Sequence, residues 1–336
     1  RLPFTGSTKL HGHLTPTLTL PLKWGGNISL SLWERAGERV KKIFKELLLM
    51  STTLTSFKWG ERTYIMGILN VTPDSFSGDG VMVEEDVIAK AVAQAKQFVA
   101  DGADIIDIGG ESTRPGSSPI SAEEELARVL PVVQAVRQAV DVVISIDSYR
   151  ASVAEAALAA GASWLNDVWG LRMDPDMAGL AAQAGCPIVL MHNRSKPKNI
   201  AQEKKLGGRF IGVKYDDLIT DVKRELQESI DIALKAGVKE SQIILDPGIG
   251  FGKTVEQSLQ LLDQINQFKT MGFPILIGPS RKSFIGYTLD LPPDQRIEGT
   301  AATVAIGIDR GADVVRVHDV KAIVRVARMT DAIVRR

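Results

Sequence analysis

Cysteine is nearly missing from this chain: a single one, Cys186, stands among 336 residues. One thiol excludes an intrachain disulfide and any metal centre built from several cysteines. Its place before Pro187, at the head of an apolar run, suits a small core side chain. Net charge is missing as well. Forty Lys and Arg balance forty Asp and Glu, so no overall field draws the molecule to nucleic acid or an anionic membrane, and an anionic substrate has to be held by local charges. No apolar stretch reaches the roughly 20 residues that a membrane-spanning helix needs, and the chain reads as soluble. Acidic residues are absent from positions 1 to 32. That basic, hydroxyl-rich composition is shared by targeting segments, whereas the opening at Arg1 fits an over-extended or non-native stretch with Met50 as the true start. On either reading residues 1 to 61 form an irregular extension without catalytic signal, and residues 62 to 336 form the working domain.

From Tyr64 onward, short runs rich in Val and Ile alternate with longer segments of helical period, the pattern of repeated βα units. Eight strands are predicted, at 64–69, 104–108, 142–146, 164–166, 187–191, 242–245, 274–277 and 313–317. Helices are predicted at 86–100, 121–139, 149–160, 175–184, 214–236, 254–270, 296–310 and 319–334. Eight strands alternating with eight helices over about 270 residues predict an α/β fold of the TIM (β/α)8 barrel type rather than an open doubly wound sheet.

In such a barrel the site is built where the strands end, and nearly every predicted strand closes on a polar residue: Asn70, Glu111 with Arg114, Asp147, Asn166 with Asp167, His192, Asp246, Lys282, and Arg316 with His318. One Asp after a strand commonly just caps the next helix; a whole ring of such residues is harder to explain that way. Asp147, Asn166, Asp246 and Lys282 offer two carboxylates, an amide and an ammonium, a set that can grip a flat heterocycle with a guanidine-like edge. Asn70 offers an oxygen suited to Mg²⁺, and Arg316 with His318 can hold a diphosphate. The alternative for Arg316 is a salt bridge to Asp313 or Asp319. The run from Asp246 to Thr254 is similar to a phosphate-binding P-loop, but Pro247 stands where that motif needs its first glycine, and the P-loop reading fails.

Eight ordered motifs resemble those of the dihydropteroate synthase family. They are Asn70-Val-Thr-Pro-Asp-Ser-Phe-Ser77, Asp107-Ile-Gly-Gly-Glu-Ser-Thr-Arg-Pro-Gly116, Ile146-Asp-Ser-Tyr149, Asn166-Asp-Val-Trp-Gly170, Met191-His192, Asp246-Pro-Gly-Ile-Gly-Phe251, Ser280-Arg-Lys-Ser283 and Arg316-Val-His318. The resemblance spans roughly residues 62 to 334. It implies a transferase of folate biosynthesis that joins (7,8-dihydropterin-6-yl)methyl diphosphate to 4-aminobenzoate, releases diphosphate, uses Mg²⁺, assembles as a homodimer and is a sulfonamide target.

The same resemblance implies the roles. Asp246 and Asn166 hold the pterin edge, Lys282 its carbonyl side, and Asp147 lies near the ring nitrogens. Met191 and Phe251 line the pocket. Asn70, Arg316 and His318 receive the diphosphate and its metal, while Thr113, Arg114, Pro115 and Ser283 shape the 4-aminobenzoate site. Phe76 and Asp74 belong to a first loop that closes over the reactants. The catalytic set is Asp147, Lys282, Arg316 and His318. Two departures stand out. Asp79 sits one place later than in the commoner Ser-Asp-Gly-Gly form, and residues 193 to 213 follow no family spacing and are expected to be a flexible, solvated lid or surface loop; neither is assigned a role. A pterin-binding methyltransferase shares the barrel and the carboxylates but has no need of the Ser-Thr-Arg-Pro-Gly, Ser-Arg-Lys-Ser and Arg-Val-His segments together. A silent pterin-binding barrel would not require the whole polar ring.

Overall fold

A computed structural model of the chain describes residues 20–21, 27–28, 57–72, 84–112, 119–195, 201–203, 209–211 and 214–336. The chain divides into two units, Arg1–Thr52 and Thr53–Arg336. In the first, Leu20–Pro21 pairs antiparallel with Asn27–Ile28. The expected boundary at 61/62 falls inside the second unit.

The second unit carries eight parallel strands: β1 (Tyr64–Asn70), β2 (Ile105–Gly109), β3 (Val143–Asp147), β4 (Trp164–Asp167), β5 (Ile188–Met191), β6 (Ile243–Asp246), β7 (Leu276–Ile277) and β8 (Val314–Val317). Their order is β6-β5-β4-β3-β2-β1-β8-β7, and a parallel bridge from Leu245 to Ile275 closes the ring between β6 and β7. This is the expected barrel. The helices are α1 (Glu84–Asp101), α2 (Ala122–Ala139), α3 (Ala151–Ala159), α4 (Met177–Ala184), α5 (Leu218–Ala236), α6 (Val255–Asp263), α7 (Ile265–Lys269), α8 (Ser283–Leu289), α9 (Ile297–Asp309) and α10 (Val320–Val334).

Local chemistry sets where helices begin and end. Ser121 and Asp217 accept the amides of Glu124 and Thr220 at the starts of α2 and α5, and Thr254 forms a reciprocal capping box with Gln257 at α6. The helix expected over 254–270 is broken at Gln264, whose backbone leaves the helical region (φ −109°, ψ 26°). Leu261, Leu262, Ile265 and Phe268 are buried on both sides of the break, so the apolar period runs through it and hides it. Helix α8 was not expected: seven residues with a glycine at their centre carry too little period to read. The 193–213 segment, expected to be a lid or surface loop, contains an antiparallel pair, Ala201–Glu203 with Arg209–Ile211.

At the N-terminal end of the barrel, each strand sends an apolar side chain inward: Tyr64 and Met66, Ile105, Val143, Trp164, Val189, Ile244, Leu276 and Val314 form one buried cluster. Phe57 and Trp59 pack against it. The Phe57 ring lies 4.6 Å from Tyr64 and 5.0 Å from Trp164, centroid to centroid, and 5.4 Å from Trp59. These aromatics plug the base, and so the compact unit starts before residue 62. Phe57→Ala is expected to destabilise the chain by about 2–3 kcal/mol, less than a fully enclosed phenylalanine because the ring is only part-buried. Urea unfolding of the full chain measures it, and a midpoint equal to the parent's would show the plug to be idle.

Candidate active site

Side chains of a strand alternate between its two faces. Counting by twos from the inward cluster therefore identifies what the barrel holds above its apolar floor: Asn70 on β1, Asp107 and Gly109 on β2, Ser145 and Asp147 on β3, Asn166 on β4, Met191 on β5, Asp246 on β6, Arg316 on β8 and His318 just beyond it. Seven of the expected site residues share this inward parity. Asn70, Gly109, Asp147 and Asn166 stand in register across four neighbouring strands. Gly109 leaves the room that Asp147 needs, since a Cβ on it would lie 3.3 Å from the Asp147 Cβ.

Arg316 is the hub of this ring. Its Nε donates to Asp107 Oδ2 and its Nη2 to Asp147 Oδ2, each at 2.6 Å, and Asn166 Nδ2 donates to the same Asp107 oxygen at 3.0 Å. The alternative partners are otherwise engaged: Asp319 pairs with Arg281 and Asp313 with Lys269. Although burial opposes its charge, the carboxylates of Asp107 and Asp147 hold the guanidinium firmly protonated. Burial pushes the Asp147 carboxyl up to about 7 from an ordinary 3.8; Arg316 pulls it down and Asp107 adds to the rise. Asp107 is fully buried, and its Oδ1 has no partner among the described residues.

A second group faces this hub. Asp246 is buried, its Oδ1 accepts the amide of Gly248 at 2.7 Å, and burial raises its pKa against the pull of Lys282. Lys282, at the start of α8, donates to the carbonyl of Ile249 and lies 4.3 Å from the Phe251 ring centroid. Burial lowers its pKa to about 8, with Asp246 opposing. Met191 packs with Val168 and Trp169, and Tyr149 and Phe251 lie against them, giving the polar groups an apolar wall. His318 Nδ1 is 3.0 Å from Ser280 Oγ, which also accepts the His318 amide. Ser283 opens α8 next to Lys282. Phe76, Asp74, Asp79, Thr113, Arg114 and Pro115 lie outside the described residues.

Three strand-end residues serve the scaffold instead. Asp167 accepts the amides of Trp169 and Leu171 and so holds the turn after β4. Glu111 pairs with Arg150, which also pairs with Glu125. His192 is buried between Glu225 and Lys253. Burial, aided by Lys253, lowers its pKa to about 3, so it stays neutral. Desolvation on its own would raise Glu225, but its bonds to His192 and Arg194 hold it well below the carboxylate range. Burial likewise pulls Lys253 well below an ordinary lysine. Sequence reasoning missed Asp107 as the anchor of Arg316. Its signal was present, a lone charge at inward parity in the run Ile-Ile-Asp-Ile-Gly.

A carboxyl with a raised folded pKa adds stability that is complete below its ordinary 3.8 and is lost as pH rises through about 7. Asp147 should therefore titrate near neutrality in the ligand-free chain, as read by carboxyl ¹³C shifts. Asp107→Asn removes a neighbouring negative charge and leaves Arg316 to Asp147 alone, so it should move that titration down by about one unit or more. An unmoved titration would reject the coupling.

A sequence model of the family described as "Pterin binding enzyme" matches residues 66–318. The chain is 49% identical over 284 residues to the dihydropteroate synthase of Bacillus subtilis strain 168, covering 84% of this chain and 93% of that one. Among solved structures it is similar to the dihydropteroate synthase of Clostridium difficile determined in the presence of pteroic acid (TM-score 0.76, 48% identity, 83% of this chain and 100% of that one). It is also similar to the Xanthomonas albilineans enzyme with 4-aminobenzoic acid (TM-score 0.73, 38% identity, 82% and 94%). The barrel, the inward polar ring and a match spanning nearly the whole of these relatives place the chain in the pterin-binding enzyme family, as a member of the dihydropteroate synthases.

Proposed function

We propose that the inward ring binds (7,8-dihydropterin-6-yl)methyl diphosphate and 4-aminobenzoate and joins them to give 7,8-dihydropteroate and diphosphate, the reaction of the family, with the residues in the following roles. The observation that carries this assignment is the meeting of two groups at one end of the barrel: Arg316 with Asp107, Asp147 and Asn166, and Asp246 with Lys282. The Asp246 carboxylate can accept paired N–H groups of the pterin edge. With its Nδ2 given to Asp107, Asn166 presents its carbonyl oxygen as an acceptor. Lys282 donates toward the ring's carbonyl side, and Met191 and Phe251 cover its faces.

In the chemical step the carbon–oxygen bond between the methylene and diphosphate breaks and the aryl nitrogen bonds to that carbon, losing a proton. An aryl amine is neutral and nucleophilic at pH 7, so leaving-group departure is the harder part. Arg316 and His318 would grip the departing diphosphate. The Asp147 carboxylate, whose charge Arg316 favours, would stabilise the electron-poor pterin methylene electrostatically. By family resemblance Thr113, Arg114, Pro115 and Ser283 receive the 4-aminobenzoate, and Phe76 helps to exclude water; a sulfonamide should compete there.

No three His, Cys, Asp or Glu side chains gather as a metal cage among the described residues, and Asn70 offers one amide oxygen at the end of β1. That sparse donor set fits Mg²⁺, which keeps waters and leans on substrate phosphates. Bound there, the ion supplies positive charge to the leaving oxygens. A homodimer through the outer helices is the proposed assembly, supported by the exposed Ile306, Met329 and Ile333 on α9 and α10. No described helix is long and apolar enough to cross a membrane, and a cytoplasmic location is proposed.

Two outcomes test this reading. The full chain and a chain starting at Met50 should both form dihydropteroate in a labelled 4-aminobenzoate assay, and a chelator should abolish it; pterin binding without product would reject the synthase roles. Asp147→Asn should lower kcat by about 10- to 1000-fold, as removal of one transition-state contact does, with the pterin Kd changed less than about threefold. Equal turnover would remove Asp147 from the chemistry.

A further inference from the structure

The turn from Asp246 to Lys253 carries three pieces of the pterin pocket: Asp246 at its start, Phe251 near its end, and the Ile249 carbonyl that receives Lys282. It is a sharp turn, with Gly248, Gly250 and Gly252 all at positive φ. Such backbone has no ladder partners, and something else has to fix its carbonyls. The chain supplies a lysine that no ligand needs to touch. Lys253 is buried, and its Nζ donates to the carbonyls of Gly248 at 2.9 Å and Phe251 at 3.0 Å, so it spans the turn from inside. Its third contact is Nδ1 of His192 at 2.9 Å. Either protonation state of the amine keeps the two carbonyl bonds, since each has at least two hydrogens to give.

The partners behind Lys253 are themselves fixed. His192 Nε2 is 3.1 Å from Glu225 on α5, and Glu225 also binds Arg194. Tyr215 donates to the Gly252 carbonyl at 3.2 Å, while Arg194 stacks on the Tyr215 ring at 4.1 Å. The contact between turn and strand end is close enough to exclude a side chain: a Cβ on Gly248 would stand 1.9 Å from the His192 carbonyl oxygen. Tilting the turn would therefore move Asp246 and Phe251 together.

We propose that Lys253 is a positioning residue for pterin recognition, holding the 246–252 turn from beneath so that the Asp246 carboxylate and the Phe251 ring meet the pterin. The role rests on the assignment of Asp246 and Phe251 to the pterin pocket, and acts through them rather than through contact with substrate.

The test is a split between the two substrates. Lys253→Met keeps the length and apolar stem but removes the donors. It should raise the KM for the dihydropterin diphosphate by about 10- to 100-fold, the scale of a misplaced contact, with the 4-aminobenzoate KM within about threefold of the parent. Lys253→Cys, in a chain carrying Cys186→Ala and aminoethylated while unfolded, returns an amine at nearly the original length and should recover the pterin KM. A pterin KM in Lys253→Met equal to the parent's, or an equal rise for both substrates, would overturn the role. If Lys253→Met does not fold, the Cys chain with and without its aminoethyl group gives the same comparison, and failure of both amine-free chains to fold while the aminoethyl chain folds would make the amine a folding requirement and likewise overturn it. Loss of pterin binding in the parent chain would instead fail the pocket assignment.

Discussion

A guanidinium shared by two carboxylates inside the barrel governs the rest of the site. Asp107 and Asp147 sit on adjacent strands at the same end of the lumen, and burying both as anions without a cation would be prohibitive. Arg316 reaches across from β8 to take one oxygen of each, and Asn166 on β4 completes the set. Four of the eight strands are thereby tied by polar contacts above an apolar floor. The dipoles of this ring are fixed in the ligand-free chain, the condition under which electrostatic stabilisation costs no reorganisation. With the Asp147 carboxyl raised to about 7, this arrangement holds its charge only narrowly, and a competing anion on Arg316 can redistribute it.

The barrel divides its labour by height. Below, Tyr64, Ile105, Val143, Trp164 and their neighbours fill the lumen with the aromatic plug of Phe57 and Trp59 beneath them, an arrangement that serves stability. Above, the same strands two or four residues later supply charge and amide groups. A single rule, the alternation of side chains, thus delivers both layers, and moving any strand by one residue would send its polar residue outward.

Much of this was legible in the sequence because it depends on local period. Eight apolar runs mark eight strands, and the polar residue closing each run marks the ring, so Asn70, Asp147, Asn166, Asp246 and Arg316 could be named from spacing and resemblance. What escaped lies in pairings between residues far apart in the chain. Nothing local says that Arg316 meets Asp107 across 209 positions rather than Asp319 three residues on. Asp167 and His192 look like site residues because they end strands, yet Asp167 spends its carboxylate on backbone amides and His192 on Lys253 and Glu225. The break at Gln264 and the short α8 are invisible for a related reason: burial continues through the first, and the second is too brief to show a period.

The ring of strands is complete everywhere by ladders except between β6 and β7, where one bridge, Leu245 to Ile275, joins a two-residue strand to its neighbour. This is the barrel's seam, and the segments that flank it are those that carry Asp246 on one side and Lys282 on the other. On the proposed roles, a flat ring that touches both would lie across the weakest join in the wall and stitch it. The substrate so held would also finish the barrel.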